Sequence, residues 1–119
     1  MTDSTPLTSM TVNNVSVTTS DNVKIDYSIQ VNSTITVGDV DLVVTLELQR
    51  DGTPIQTIQY AVSGLAVGTQ IQPISYTFVD TPPATASVDY SVEVTYSATG
   101  AGTASVTVSN RYMNVAIFQ

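Results

Sequence analysis

The sequence predicts an all-β domain built as a two-sheet antiparallel β-sandwich of about eight strands. Three observations support this fold class. Threonine and valine supply 19 and 18 of the 119 residues, and β-branched side chains favour pleated sheet over helix. Apolar and polar residues alternate with a period of two in most segments. Turn residues recur about every 10–12 positions, which is the spacing typical of sandwiches and barrels.

The first strand is expected to contain a bulge and to follow a polar segment. The phase of the alternation slips at Asn13-Asn14, which predicts an extra residue at that point. Residues 1–14 are predicted to be a flexible N-terminal arm or an added edge strand, and residues 15–119 to be the folded domain.

Alternation also predicts the remaining strands, and one hairpin is marked by its turn residues. Asp51-Gly52 supplies the positive φ values of a primed turn, which would place Leu48 opposite Ile55. Pro54 cannot donate to a ladder, so the returning strand is expected at a sheet edge. The segments predicted to form these strands are residues 23–37, 40–48, 55–62, 74–78, 86–98, 104–108 and 112–118.

The connections near the end of the chain are predicted from their turn residues. Residues 80–83, with two prolines, end one strand because prolines cannot pair in a ladder. Residues 100–102 are expected to form a hairpin tip and residues 109–111 a corner between the last two strands. Four tyrosines share the parity of core residues and are predicted to be buried: Tyr27, Tyr76, Tyr90 and Tyr96.

The charge balance of the chain excludes several classes of partner. Three Lys or Arg residues stand against ten Asp or Glu residues, a formal net charge of −7. Nucleic acid is therefore not expected as a partner, and neither is an anionic membrane surface. No apolar run approaches the roughly 20 residues that span a bilayer, so membrane insertion is not expected. The first residues also lack the basic and apolar regions of a Sec signal peptide.

The residue types that carry most protein chemistry are absent or isolated. The chain has no cysteine and no histidine, which excludes disulfides, thiolate nucleophiles and Ser–His arrangements. Asp89 and Glu93 share a strand face but lie about 13 Å apart, too far for a glycosidase pair. Asp39 and Asp41 are too few for Ca²⁺, which takes about six to eight oxygens, so a turn is favoured. No catalytic residue, cofactor or metal ligand is predicted.

The last strand is apolar on both faces. One face carries Met113, Val115 and Ile117, and the other carries Tyr112, Ala116 and Phe118. Because apolar residues on both faces indicate burial on both faces, Tyr112, Ala116 and Phe118 are predicted to contact another subunit. The alternative is that Tyr112 and Phe118 cover a loop or are singly exposed, which is common for apolar residues.

Several segments resemble a known group of proteins: YTFVDTPPA, YSVEVTYSATG and SNRYMNVAIF, with VKIDYSIQV and VTLELQRDGTPI in the same pattern. They are similar to the C-terminal heads of the collagen-like exosporium glycoproteins of spore-forming bacteria, Bacillus and its relatives. The resemblance covers about residues 15–119. It implies a jelly roll similar to tumour necrosis factor and complement-type heads, a homotrimer, a surface or adhesive role and no catalysis. The chain departs from the pattern because it carries no Gly-X-Y repeat and no recognisable exosporium-targeting leader.

Three functions remain open at this point. The first is a non-enzymatic structural protein of a spore or cell surface, built as a trimeric jelly-roll head. The second is a fibre or appendage subunit whose N-terminal arm adds a strand to a neighbour's sheet. The third is a carbohydrate-binding module. We expect a homo-oligomer, with a trimer favoured over a fibre. Its expected location is the extracellular surface, on a spore exosporium or an appendage. A surface glycan or a spore-coat protein is a further partner that the sequence leaves open.

Overall fold

A computed structural model describes residues 4–18, 21–82 and 86–118, with side chains described within 10–18, 21–82 and 87–118. All regular elements among these residues are β-strands, which confirms the all-β prediction. The strands are β1 (Ser4–Val17), β2 (Asn22–Val37), β3 (Val40–Arg50), β4 (Thr53–Leu65), β5 (Gly68–Asp80), β6 (Ala86–Gly100) and β7 (Thr103–Phe118).

The seven strands form two antiparallel sheets that pack face to face, as the alternation predicts. One sheet has four strands in the order β1-β6-β3-β4, and the other has three in the order β5-β2-β7. Only the β3–β4 connection stays within a sheet, and the other five connections cross from one sheet to the other. The long strands give a narrow body of 51 × 23 × 18 Å.

The described strands number seven because the predicted corner at residues 109–111 is a bulge. Asn110 adopts a positive φ of 51°, and the pairing of β7 with β2 shifts between Ser28 and Gln30. A bulge accommodates extra residues without ending the strand, so β7 continues from Thr103 to Phe118. The prediction of two separate strands in this part of the chain is therefore wrong.

The predicted hairpin is present, with one difference in register. Asp51 and Gly52 have φ values of 51° and 81°, as a primed turn requires. Strand β4 lies at the edge of its sheet, the position expected for a strand that begins with a proline. Leu48 pairs with Gln56 instead of Ile55, because the register shifts by one residue just after the turn.

Strand β1 lies at the edge of the four-stranded sheet and pairs with β6 of the same chain. The register shift between Val12 and Val15 and the φ of 59° at Asn14 confirm the predicted bulge. The strand passes through the predicted boundary between residues 14 and 15, and the division into arm and domain stays a prediction. Residues 1–3 of the arm lie outside the described residues, as does Pro83 of the predicted two-proline strand end.

The core lies between the two sheets and consists of the inward-facing half of each strand. In β2, the residues from Val23 to Ile35 alternate between buried and less buried, with the odd-numbered side chains inside. Tyr27 and Tyr90 are buried as predicted, and Tyr96 packs against the core while partly buried. Tyr76 is 46% exposed, because β5 is an edge strand and has a neighbouring strand on one side only among the described residues. The core prediction for Tyr76 is therefore wrong.

The connection at residues 100–102 is a crossover between sheets. Strands β6 and β7 belong to different sheets, so the prediction of a hairpin tip is wrong. The crossover packs on the β2–β3 connection, and the Gly102 N–H donates to the Asp39 carbonyl at 3.3 Å. Two crossovers therefore close the same end of the sandwich.

Candidate functional site

The outer face of the three-stranded sheet holds a shallow depression of about 450 Å³. The odd-numbered residues of β2 fill the core, so its even-numbered residues point outward together with their register partners on β5 and β7. The side chains that line the depression from this outer face are Asp26, Ser28, Ser75, Thr77 and Tyr112.

The polar groups of the depression are connected by short contacts. Thr77 donates from Oγ1 to Asp26 Oδ1 at 2.6 Å, and Lys24 Nζ lies 3.8 Å from Asp26 Oδ2. The side chains of that ion pair are 50% and 30% exposed, and exposed pairs contribute about 0–1 kcal/mol. These groups can hydrogen-bond to a ligand and the Tyr112 ring can stack on one.

The three residues predicted to form a subunit interface all lie on this outer face, on the edge strand β7. Tyr112 is 55% exposed and Phe118 is 44% exposed, and Ala116 between them is also exposed. On the opposite face of the strand, Ile117 is 45% exposed. The end of β7 thus presents apolar side chains on both faces, and its contact with a second subunit stays a prediction.

Exposed large apolar side chains are concentrated on one side of the sandwich. Among the side chains that the structure describes, all of them belong to the three-stranded sheet or to the loop that enters β5, and none lies on the four-stranded sheet. A concentration of this kind marks an interaction surface more often than scattered single residues do. The exposed residues are Val37, Val67, Ile71, Tyr76, Val79, Tyr112, Ile117 and Phe118.

Part of this surface was not predicted from the sequence. Ile71 and Val79 lie on the outward-facing positions of β5, opposite Asn32 and Lys24 of β2. The available signal was their parity, because both are out of phase with the inward-facing Phe78. Apolar residues of the wrong parity indicate exposure or a partner on the outer face.

Both edges of the three-stranded sheet are interrupted and carry little charge. Strand β5 contains Pro73, which has no N–H to donate, and β7 contains the bulge at Asn110. Interrupted edges resist the addition of a continuous strand from another molecule. The only charged residue of β5 is Asp80, and the only one of β7 is Arg111. A molecule on this side would therefore contact mainly neutral side chains.

A buried carboxylate joins the two sheets at one end of the sandwich. The two oxygens of Asp80 on β5 accept hydrogen bonds from Arg50 Nη1 at 2.6 and 2.7 Å, and Oδ2 also accepts one from Tyr90 Oη at 2.7 Å. Arg50 and Tyr90 are register partners in the four-stranded sheet, and Asp80 is only 7% exposed. We call these three residues the Asp80 clamp. Its internal bonds satisfy the carboxylate, which indicates a structural role.

Burial changes the acid–base properties of two core tyrosines. Burial, together with the hydrogen bond to Asp80, raises the pKa of Tyr90 well above its ordinary value of about 10. Burial also raises the pKa of Tyr27 to about 12, and the Tyr27 hydroxyl donates to Gln56 Oε1 at 3.1 Å. Both phenols are therefore held in the neutral form in the folded protein.

We expect the protein to lose stability as the pH rises from about 10 to about 12. In the unfolded chain the two tyrosines lose their protons near pH 10, whereas the folded chain keeps them. The unfolded state then binds fewer protons, so the free energy of unfolding falls by up to about 1.4 kcal/mol per pH unit for each tyrosine. Urea unfolding across this range measures the slope, and Tyr27→Phe should remove about half of it. A flat pH dependence would contradict the tyrosine assignment.

Two of the other carboxylates considered in the sequence accept hydrogen bonds from backbone groups. Asp41 Oδ1 accepts a hydrogen bond from the Gly64 N–H at 2.9 Å, and Asp89 Oδ1 accepts one from the N–H of Asn14 in the β1 bulge at 2.9 Å. Asp39 lies in the β2–β3 turn with a φ of 71°. Residues 4–18, 21–82 and 86–118 contain no group of three or more side chains arranged to hold a metal ion.

The fold and this surface were compared with known proteins. No protein-family model matches the chain, and neither the curated proteins nor the solved structures include a significant match. The exosporium resemblance is therefore supported by the sequence segments alone and stays a prediction. Within the described part of the chain, no helix has the length and apolar character to cross a membrane.

Proposed function

We propose that the chain is a non-enzymatic structural protein of a bacterial spore or cell surface, assembled as a trimeric jelly-roll head. The observation that carries this proposal is the concentration of exposed apolar side chains on the three-stranded sheet, with Tyr112 and Phe118 at one edge. Association between copies would remove these side chains from water, at about 25 cal/mol for each Å² of apolar surface buried. The spore or cell surface location rests on the exosporium resemblance.

The strand order supports the jelly-roll part of the proposal. An eight-stranded jelly roll, with its strands numbered along the chain, has the sheet orders 1-8-3-6 and 2-7-4-5. If the first strand is left out and each remaining strand number is lowered by one, the two sheet orders become 7-2-5 and 1-6-3-4. They match the two sheets of this chain. In the eight-stranded arrangement, the first strand lies beside the strand that corresponds to β7.

The size of the three-stranded face is compatible with a stable contact. Three strands spaced about 4.8 Å apart along a body 51 Å long present roughly 700 Å² on their outer face. A standard protein–protein interface buries about 800 Å² on each partner. The outer face with its two edges can therefore supply the contact area of an oligomer.

We expect Phe118→Asp to split the oligomer into single chains while leaving the β-sheet signal intact. The new carboxylate would have to lose its water in an apolar contact, which costs several kcal/mol unless it is paired. Light scattering gives the mass, and far-ultraviolet circular dichroism reports the sheet. Gln59→Asp is the matched control, because Gln59 is exposed on the outer face of the four-stranded sheet. An unchanged mass for Phe118→Asp would refute the interface, and a single-chain mass for the unaltered protein would refute the trimer.

A fibre or appendage subunit is a second candidate, favoured by the positions of the first and last strands. Ser4 at the start of β1 lies beside Ser97, whereas Phe118 at the end of β7 lies beside Asn22, at the other end of the body. Such an arrangement suits copies joined end to end. A fibre would give a ladder of masses that disappears when residues 1–8 are deleted, whereas a trimer gives one mass.

A carbohydrate-binding module is a third candidate, favoured by the depression on the outer face. Tyr112 could stack on a sugar ring, and Asp26 with Thr77 could accept and donate hydrogen bonds to its hydroxyls. A glycan array separates this candidate from the others. Absence of bound saccharide across the array would exclude it.

A further inference from the structure

Strand β4 forms an edge of the four-stranded sheet, and the middle of this edge is regular. Residues 56–62 pair with β3 without a register shift, and Pro54 and Gly64 lie near the two ends of the strand. The other edge strands are interrupted further inside: β1 by two register shifts, β5 by Pro73 and β7 by the bulge at Asn110. The free side of β4 therefore offers a row of backbone N–H and C=O groups that another strand can bind.

The core is incompletely covered along this side of the sandwich. Ile58, Tyr60 and Val62 of β4 are only partly buried, although their register partners on β3 are buried. The Tyr60 hydroxyl donates to Gln72 Oε1 of β5 at 3.3 Å, so β4 and β5 lie along the same side. There Tyr76 occupies an inward register position of β5 and is 46% exposed. A strand added beside β4 would extend its sheet over the edge of β5, and its inward apolar side chains would cover these residues.

Carboxylates flank β4 along its whole length. Asp51 lies in the turn before the strand, Glu47 pairs with Thr57 in its middle, and Asp41 accepts a hydrogen bond from the Gly64 N–H near its end. An added strand would lie two strand spacings, about 10 Å, from the backbone of Glu47. A long Lys or Arg side chain on the outer face can cross β4 and reach this carboxylate.

The charges of the four-stranded sheet favour a basic partner over another copy of this chain. Glu47 lies directly opposite Glu93 of β6, and like charges in this position repel each other. Arg50 is the only Lys or Arg in the four strands, and its guanidinium binds Asp80 of the other sheet. Since the whole chain has a net charge of −7, a basic segment is attracted to this edge and a second copy is repelled.

We propose that the edge of β4 binds an extended basic segment of a partner protein, which adds a fifth strand to the four-stranded sheet. Its apolar residues face inward over Tyr76, and its Lys or Arg residues face outward beside Glu47. Backbone hydrogen bonds supply affinity, and the alternation of side chains supplies specificity. Strand β4 and the Phe118 interface on β7 belong to different sheets, so this inference goes beyond the proposed function and does not depend on it.

A synthetic peptide with lysine and valine in alternation, about nine residues long so that it spans residues 56–62, is the probe. Fluorescence anisotropy should show saturable binding of the labelled peptide. A peptide with glutamate in place of lysine, and one with every backbone nitrogen methylated, should each bind more than about tenfold more weakly, because several charge or hydrogen-bond contacts are lost. Successive N–H groups of a strand point to opposite sides. Nuclear magnetic resonance should therefore show slowed hydrogen exchange at alternate amides of residues 56–62.

The matched variants Thr57→Lys and Thr107→Lys locate the binding edge. Both residues are exposed on edge strands, but only Thr57 is the register partner of Glu47. The new lysine of Thr57→Lys neutralises this carboxylate and repels the probe, so binding should weaken about threefold to tenfold. Thr107→Lys should bind almost as well as the unaltered protein, and circular dichroism checks that both variants are folded.

Four results would overturn the proposal. The first is the absence of probe binding, and the second is equal binding of the methylated peptide. The third is an equal loss in the two lysine variants, or slowed amide exchange confined to strands other than β4. The fourth is slowed exchange of residues 56–62 that rises with protein concentration without the probe, since this would assign the edge to a second copy. The mass of the oligomer and its response to Phe118→Asp test the proposed function separately.

Discussion

Replacing Asp80 by alanine is expected to lower the free energy of unfolding by about 3 kcal/mol. The substitution leaves Arg50 without its carboxylate and removes the acceptor for the buried Tyr90 hydroxyl. Removing one partner of a buried ion pair costs about 3–5 kcal/mol, because the remaining charge stays desolvated. We expect a loss of unfolding free energy in the lower part of this range, because the Arg50 side chain is 21% exposed and can turn toward water.

Urea unfolding of two matched variants isolates the contribution of the clamp. Asp26→Ala removes a carboxylate of the same type from an exposed pair, and its cost should be about 1 kcal/mol or less. Tyr90→Phe should cost about 1 kcal/mol by itself. Combined with Asp80→Ala, it should add less than its separate cost, because the two residues share one hydrogen bond. Equal costs for Asp80→Ala and Asp26→Ala would show that the clamp does not stabilise the fold.

The clamp also connects stability to the proposed assembly. Asp80 follows Val79 directly in β5, and alternation turns the Asp80 side chain inward while Val79 points outward. The clamp therefore fixes the end of the strand that carries the exposed Val79 side chain. A folded Asp80→Ala variant with a weakened oligomer would be consistent with this connection.

The sequence predicts the faces of the strands well because alternation is a local property. In β2 the parity of Val23 and Ile25 already assigns the inner and outer sides, and the burial of these residues agrees. The bulge at Asn14 and the turn at Asp51-Gly52 are also local, since residue type and phase determine them. The two-sheet sandwich follows from many such strands together.

Strand order depends on contacts between distant residues, and the pattern of one strand does not contain it. The sequence does not place β2 between β5 and β7, so the depression across Asp26, Thr77 and Tyr112 could not be predicted. The Asp80 clamp could not be predicted for the same reason, because Asp80 and Arg50 are separated by 30 residues in the sequence. Gly-rich residues 100–102 indicate a turn but do not distinguish a hairpin from a crossover.

The bulge at Asn110 shows a second limit. A polar cluster such as Ser109-Asn110-Arg111 is typical of a corner, but it can equally stay within a strand when its neighbours are paired on both sides. Here the residues before and after the bulge keep their pairing with β2. The asparagine supplies the positive φ that the bulge needs. Tertiary pairing therefore decides between the two structures.

Gly102→Ala is expected to destabilise the fold by about 3 kcal/mol. A Cβ atom on Gly102 would overlap the carbonyl oxygens of Val37 and Gly38 in the neighbouring crossover. These are backbone atoms, so they cannot rotate away as a flexible side chain could. The two crossovers would have to separate, at a cost near the upper end of the range for overpacked sites. The bond from the Gly102 N–H to the Asp39 carbonyl would weaken as well.

Gly38→Ala is the matched control because it changes the same corner from the other side. A Cβ atom on Gly38 would lie 3.6 Å from its nearest neighbour, the Val67 nitrogen, which is an ordinary contact. Both substitutions restrict the unfolded chain to a similar degree, worth about 0.4–1 kcal/mol in favour of folding. The difference between their unfolding free energies therefore measures the overlap together with the weakening of the Gly102–Asp39 bond. Similar values for the two variants in urea unfolding would mean that the crossovers are not in close contact.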